Sequence, residues 1–297
     1  MKSFLRYLIA TSVAVLSLSI AMASPPRAKG HLLIIGGGER TQEIMKRFIE
    51  LAGGAEKARI IILPMASSVP DTTGMEETAE LKSLGARNVE WLFFKKEQAE
   101  SAAFAQKFNG ATGIFFSGGD QARLTRVIVG TPVQQRLKEL YKEGAVMGGT
   151  SAGAAIMSQV MITGDELINK DTTNMFVSIM KGNVQTIEGI GFLDDVIIDQ
   201  HFVKRKRLNR LISVVLEHPG LPGIGIDEST AVLVDPDGTF EVMGEGTVVV
   251  LDARNAETIH TDDSSHLAAR NMRMDIFSAG ERFNLKTGAP APPPAKR

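Results

Sequence analysis

The chain has 297 residues, with 33 Lys and Arg against 34 Asp and Glu and a formal net charge of −1. It has no long Lys/Arg block, so it lacks the electrostatic footprint of a nucleic-acid binder. It also has no cysteine, which excludes thiol nucleophiles and disulfides and leaves stability to core packing, for which this length suffices as one large α/β domain.

In chain order, Lys2 and Arg6 precede an apolar run over 7–21 that closes on Ala21-Met22-Ala23. The short run and the small-x-small site predict a cleaved secretory signal peptide over 1–23, not a retained membrane anchor. The expected mature chain starts at Ser24, is secreted (periplasmic or extracellular), and has no membrane partner after cleavage. Residues 24–30 read as a linker.

The run 32–35 predicts a first buried strand. Residues 41–52 set Ile44, Met45, Phe48, Ile49 and Ala52 on one helical face, and Gly53-Gly54 stops that helix. Runs at 60–63, 89–94 and 113–116 predict three more strands, the last ending at Ser117-Gly118-Gly119. Thr131 caps a helix with Pro132 in its first position, a stripe of Val133, Leu137, Leu140 and Tyr141, and Gly144 at its end. A strand over 145–147 is followed by a helix from Ala152 onward. Later, 196–200 and 223–226 read as strands, with a basic helix over 204–217 between them. Residues 231–234, the turn Asp235-Pro236-Asp237-Gly238 and 240–242 form a hairpin, with 248–251 following. Apolar runs alternating with amphipathic segments predict one α/β domain over 31–287, a mostly parallel sheet flanked by helices with an antiparallel extension near the C-terminus. Residues 288–297, rich in Pro and Ala, read as a disordered tail.

Gly149-Thr150-Ser151-Ala152-Gly153 matches G-x-S-x-G where that motif has mechanical meaning, between a buried strand and a helix. The sharp turn needs small flanking residues and presents Ser151 at a helix start, where free N–H groups favour an oxyanion. The Ala152 amide is one natural donor. Ser117-Gly118-Gly119-Asp120-Gln121 leaves another strand end, and Gly119 or Asp120 could supply the second amide. Those glycines could equally just begin the next helix.

A serine hydroxyl needs a base, usually histidine. Four of the five histidines, His31, His218, His260 and His266, have structural explanations. His201 sits at the exit of the strand over 196–200 and is the candidate base. A carboxylate should orient it. Glu228, after the strand over 223–226, is the first choice, with Asp227, Asp199 and Asp120 open. The order serine, histidine, acid departs from that of α/β-hydrolases.

Five segments occur in order: Gly36-Gly37-Gly38-Glu39, Ser117-Gly118-Gly119-Asp120-Gln121, Gly149-Thr150-Ser151-Ala152-Gly153-Ala154, Asp199-Gln200-His201-Phe202 and Gly225-Ile226-Asp227-Glu228. Together they resemble the cyanophycinases, serine peptidases with a flavodoxin-like, class I glutamine amidotransferase-like fold. The resemblance covers nearly the whole mature chain. It implies Ser151 as nucleophile, His201 as base and Glu228 as orienter. It also implies a pocket of Gln121, Asp199, Gln200, Arg205 and Arg207, to which Arg210 is added as a further partner for carboxylates. The implied activity is exopeptidase cleavage of cyanophycin, multi-L-arginyl-poly-L-aspartate, to β-Asp-Arg dipeptides, with no metal or organic cofactor. The polypeptide is then the substrate partner, and a homodimer is left open. One departure lies in 204–210, where family members often carry glycine at one or both of the positions of Lys206 and Asn209. Two rival readings are an aspartyl dipeptidase acting on short peptides and a noncatalytic nucleotide or ligand binder using Ile35-Gly36-Gly37-Gly38-Glu39 as a phosphate turn.

Overall fold

The computed structural model describes residues 30–169, 175–260 and 265–292, with only the backbone of 258–260. The expected signal peptide, the expected linker up to Lys29 and the tail from 293 onward lie outside the described residues.

Five strands, β1 (Leu32–Ile35), β2 (Arg59–Leu63), β3 (Asn88–Trp91), β4 (Gly113–Phe116) and β5 (Val146–Thr150), form the parallel part of the main sheet in the order β1-β5-β4-β2-β3. Every residue of β1, β4 and β5 is buried, as expected where helices cover both faces. One face packs on the helix Gln42–Leu51 through Ile44, Met45, Phe48 and Ile49. The other carries Leu124 and Ile128 of the helix Gln121–Ile128 and Val133, Leu137 and Leu140 of the helix Pro132–Glu143. Local signals fix these helix ends: the Thr41 and Thr131 side chains accept from backbone N–H groups in the first turn, and Gly144 closes the helix Pro132–Glu143 at φ 118°.

An antiparallel pair, β6 (Val160–Glu166) and β7 (Val184–Glu188), follows. Next come β8 (Ile197–Gln200) and β9 (Gly223–Ile226), which pair in parallel. The hairpin of β10 (Thr230–Val234) and β11 (Thr239–Gly244) adds to the far side of β1, so the sequence-predicted extension is present. Strand β12 (Val248–Asp252) pairs with β9, not with that hairpin. Beyond β13 (Glu257–His260) and β14 (Leu267–Arg270), a pair of their own, β15 (Arg273–Phe277) completes a second sheet in the order β15-β12-β9-β8. Last, β16 (Arg282–Asn284) and β17 (Ala289–Pro290) extend the main sheet to nine strands. Ala289 and Pro290, read from composition as tail, thus form an edge strand, a place where proline's missing N–H is tolerated.

The second sheet is sandwiched. Ile198, Ile224, Ile226, Val248 and Val250 join the core of the main sheet. Ile197, Val249 and Leu251 face Leu211, Val214 and Val215 of the helix Leu208–Glu217. That helix starts later than expected, because residues 204–207 form turns instead. The two sheets bring the ends of β1, β5, β8 and β9 together.

Candidate active site

Ser151 stands at the end of β5, before a single helical turn, Ala152–Ala155. Its backbone is at φ 53° and ψ −109°, a conformation costing about 1–3 kcal/mol that persists only where the surroundings enforce it. Close packing enforces it here. A β-carbon on Gly149 would lie 2.4 Å from the Gly153 carbonyl oxygen, and one on Gly153 would lie 2.1 Å from that of Phe116.

His201 leaves β8 at φ 49°. Its Nε2 lies 2.8 Å from Ser151 Oγ and its Nδ1 lies 2.6 Å from Glu228 Oε1. Of the carboxylates left open by the sequence, Glu228 is the one that meets the imidazole. Asp227 accepts instead from the Lys204 N–H at 2.9 Å. The three residues belong to two sheets, not to one sheet edge, and the end of β1 ties them together. Successive carbonyls of Ile35, Gly36 and Gly37 accept from the N–H groups of Ser151 at 3.0 Å, His201 at 2.7 Å and Ser229 at 2.9 Å. Gly37 is at φ 111°, and a β-carbon there would lie 2.3 Å from the His201 ring. The Gly36-Gly37-Gly38 turn is therefore a floor beneath the imidazole.

Burial pushes the His201 imidazole below its ordinary value of 6.5. The hydrogen bond to Glu228 works against that shift, and the charges of Arg205 and Arg207 add to it. Glu228 is held below the usual carboxylate range, chiefly by its hydrogen bond with His201. A neutral imidazole and an ionised carboxylate are the states in which such a chain can draw a proton from a hydroxyl.

A cleft of about 440 Å³ opens beside Ser151, lined by the Gly37-Gly38 and Gly118-Gly119 turns, Arg40, Thr73, Glu77, Thr150, His201 and Arg205. A β-carbon on Gly118 would lie 3.6 Å from that of Ser151, so the second glycine turn flanks the serine as expected. The Asp120 N–H donates to the Ala66 carbonyl at 2.9 Å, which withdraws it as an oxyanion donor. Gly119 and Ala152 remain.

Of the six side chains of the expected pocket, only Arg205 lines this cleft. Gln121 is buried, and its amide nitrogen donates to the carbonyls of Ile162, at 2.9 Å, and Thr163, fastening its helix to β6. Asp199 and Arg210 form a fully buried ion pair, with Arg210 Nε 2.8 Å from Asp199 Oδ2. Arg207 donates to the carbonyl of Gln200 at 2.7 Å and to its side-chain oxygen at 2.6 Å. Crowding by burial and Arg210 pulls its guanidinium down to about 10. Charge pattern marks polar residues near strand ends without saying whether they face one another or solvent. At the departure in 204–210, Lys206 holds φ 54°, where glycine is free and a side chain costs about 1–2 kcal/mol. Asn209 Nδ2 donates to the Phe176 carbonyl at 3.1 Å, a bond glycine could not make.

Arg40 and Glu77 escaped sequence reasoning. Glu77 lies on the helix Pro70–Ser83, whose buried residues are Gly74, Glu77 and Leu81. A stripe with a carboxylate at its centre gives no apolar period.

A parallel α/β sheet presenting a serine, a histidine and a carboxylate in one hydrogen-bonded chain defines the class of serine hydrolases. The model of peptidase family S51 matches residues 32–242, and the chain belongs to that family of serine peptidases. It is 37% identical over 277 residues to a cyanophycinase of Trichormus variabilis, covering 90% of this chain and 89% of that protein. It is also 37% identical over 267 residues to one of Synechococcus elongatus, covering 87% and 80%. Among solved structures, a peptidase from an acI-B1 Actinobacterium superposes with a TM-score of 0.64 at 24% identity, over 87% of this chain and 98% of that one. The fold is the class I glutamine amidotransferase-like one.

Proposed function

We propose that this serine peptidase cleaves cyanophycin, with Ser151 as nucleophile, His201 as general base and Glu228 as its orienter. The observation that carries the chemistry is the continuous chain Ser151–His201–Glu228, hung by its backbone from the end of β1. The identity to cyanophycinases over nearly the whole of both chains supports the substrate.

On this reading Ser151 Oγ attacks a backbone carbonyl of the poly-aspartate chain while His201 Nε2 takes its proton. N–H groups of Gly119 and Ala152 receive the developing oxyanion. The tetrahedral intermediate collapses to an acyl-enzyme as His201 protonates the leaving amine, and His201 then activates water for deacylation. Release of β-Asp-Arg from a chain end makes it an exopeptidase. Arg205, half exposed at the cleft mouth, is the group available to pair with a substrate carboxylate. Secretion rests on the signal-like segment 1–23 and would place the enzyme where it meets polymer outside the cell that made it.

The test is to give the mature protein insoluble cyanophycin and a short aspartyl dipeptide separately and to identify products by mass. β-Asp-Arg from the polymer, with the dipeptide left largely intact, is expected. Rapid dipeptide hydrolysis with an untouched polymer would instead establish the short-peptide activity.

A further inference from the structure

A buried charged bridge joins the two glycine turns of the cleft from behind. Glu77 is 5% exposed. Its Oε1 accepts from Arg40 Nη1 at 2.8 Å, and its Oε2 accepts from the hydroxyl of Ser117, itself fully buried. Ser117 opens the Ser117-Gly118-Gly119 turn on the oxyanion side. Arg40 follows the Gly36-Gly37-Gly38 turn that underlies His201 and is gripped from its other side by Glu80. Its guanidinium also lies over the Phe115 ring, 5.7 Å from the centroid, two residues before Ser117. Arg40 and Glu77 both line the cleft that contains Ser151.

We propose that Glu77 is a positioning residue for hydrolysis: through Ser117 and Arg40 it sets the distance between the oxyanion turn and the turn that underlies His201. Two features argue for more than packing. Burial raises the Glu77 carboxyl above its ordinary value despite Arg40, so the helix keeps there a group that is costly to bury where an apolar residue would pack without that cost. The bridge is also directional, since each carboxylate oxygen serves a different turn. The far end of that turn is held by the Asp120 N–H, which donates to the Ala66 carbonyl at 2.9 Å. At its near end the Ser117 hydroxyl bond to Glu77 is the side-chain tie between the turn and the rest of the cleft.

The proposal rests on the hydrolytic reading above and can fail separately from it. Glu77→Leu, Glu77→Gln and Ser117→Ala are made in the full mature chain. The kcat and KM on cyanophycin, the rate of Ser151 labelling by a fluorophosphonate and the melting temperature are measured for each. Misplacing an oxyanion donor by a fraction of an ångström lowers kcat by about tenfold to a hundredfold and leaves KM largely alone. That loss is expected for Glu77→Leu and Ser117→Ala, with labelling slowed in parallel. Glu77→Gln keeps an acceptor for Ser117 and should recover part of it. Folded variants with wild-type kcat and labelling would overturn the proposal, as would equal losses in Glu77→Gln and Glu77→Leu. Wild-type protein that does not label at Ser151 would overturn both this and the reading beneath it.

Discussion

On the proposed mechanism His201 acts as a base while enclosed on three sides, by Ser151, Glu228 and the Gly37 turn. Burial favours its neutral form, so the acid limb of kcat/KM should have its midpoint below the ordinary histidine value of 6.5. The sign can be checked from both directions. The hydrogen bond that His201 Nδ1 donates to Glu228 raises the imidazole, so Glu228→Gln should move that limb to lower pH while cutting kcat by about 10²- to 10⁴-fold. Arg205 lowers it, so Arg205→Ala should move the limb to higher pH. A pH–rate series on the three proteins measures this; shifts in the same direction for both variants would contradict it. Ser151, His201 and Glu228 were all legible in the sequence, because each follows an apolar run that ends at the same layer of the molecule. The pocket was not. Asp199 and Arg210 carry charges that suggest ligand binding, yet eleven positions apart they pair with each other, a contact that only the folded chain reveals.

At the scale of elements, the turn after β1 does most of the positioning, and its glycine is required twice, by its φ of 111° and by the imidazole against it. Gly37→Ala should therefore displace His201, reducing kcat by about 100-fold while far-ultraviolet circular dichroism stays wild-type. An active Gly37→Ala enzyme would show that the turn is not the floor of the site. The strands and helices with a clear apolar period were readable to within a few residues, including Leu32–Ile35, Gly113–Phe116 and the capped helix Pro132–Glu143. Others gave no such signal. The helix Pro70–Ser83 buries a glutamate, and β15 exposes Met274 and Ile276 at the sheet margin. The division into two sheets was also hidden, since Val248 and its neighbours look alike whether they pair with β9 or with the β11 hairpin.

For the whole molecule, without any cysteine, the joint between the second sheet and the helix Leu208–Glu217 relies on apolar packing and on the Asp199–Arg210 pair. Arg210→Met should leave Asp199 buried without its bidentate partner, holding only the Gln200 N–H and the more distant Arg207, and lower stability by about 3–5 kcal/mol, whereas adding Asp199→Asn should restore much of the loss. Chemical denaturation of the two variants tests this, and equal stabilities would contradict it. The opposite face of the second sheet, through Ile198, Ile224, Ile226, Val248 and Val250, packs on the main sheet and holds His201 and Glu228 against Ser151. The most direct test of the account is digestion of purified insoluble cyanophycin by the purified protein beside its Ser151→Ala variant, with soluble products read by mass spectrometry. Release of β-Asp-Arg by the first and none above background by the second is predicted. Comparable release by Ser151→Ala, folded as judged by circular dichroism, would contradict it.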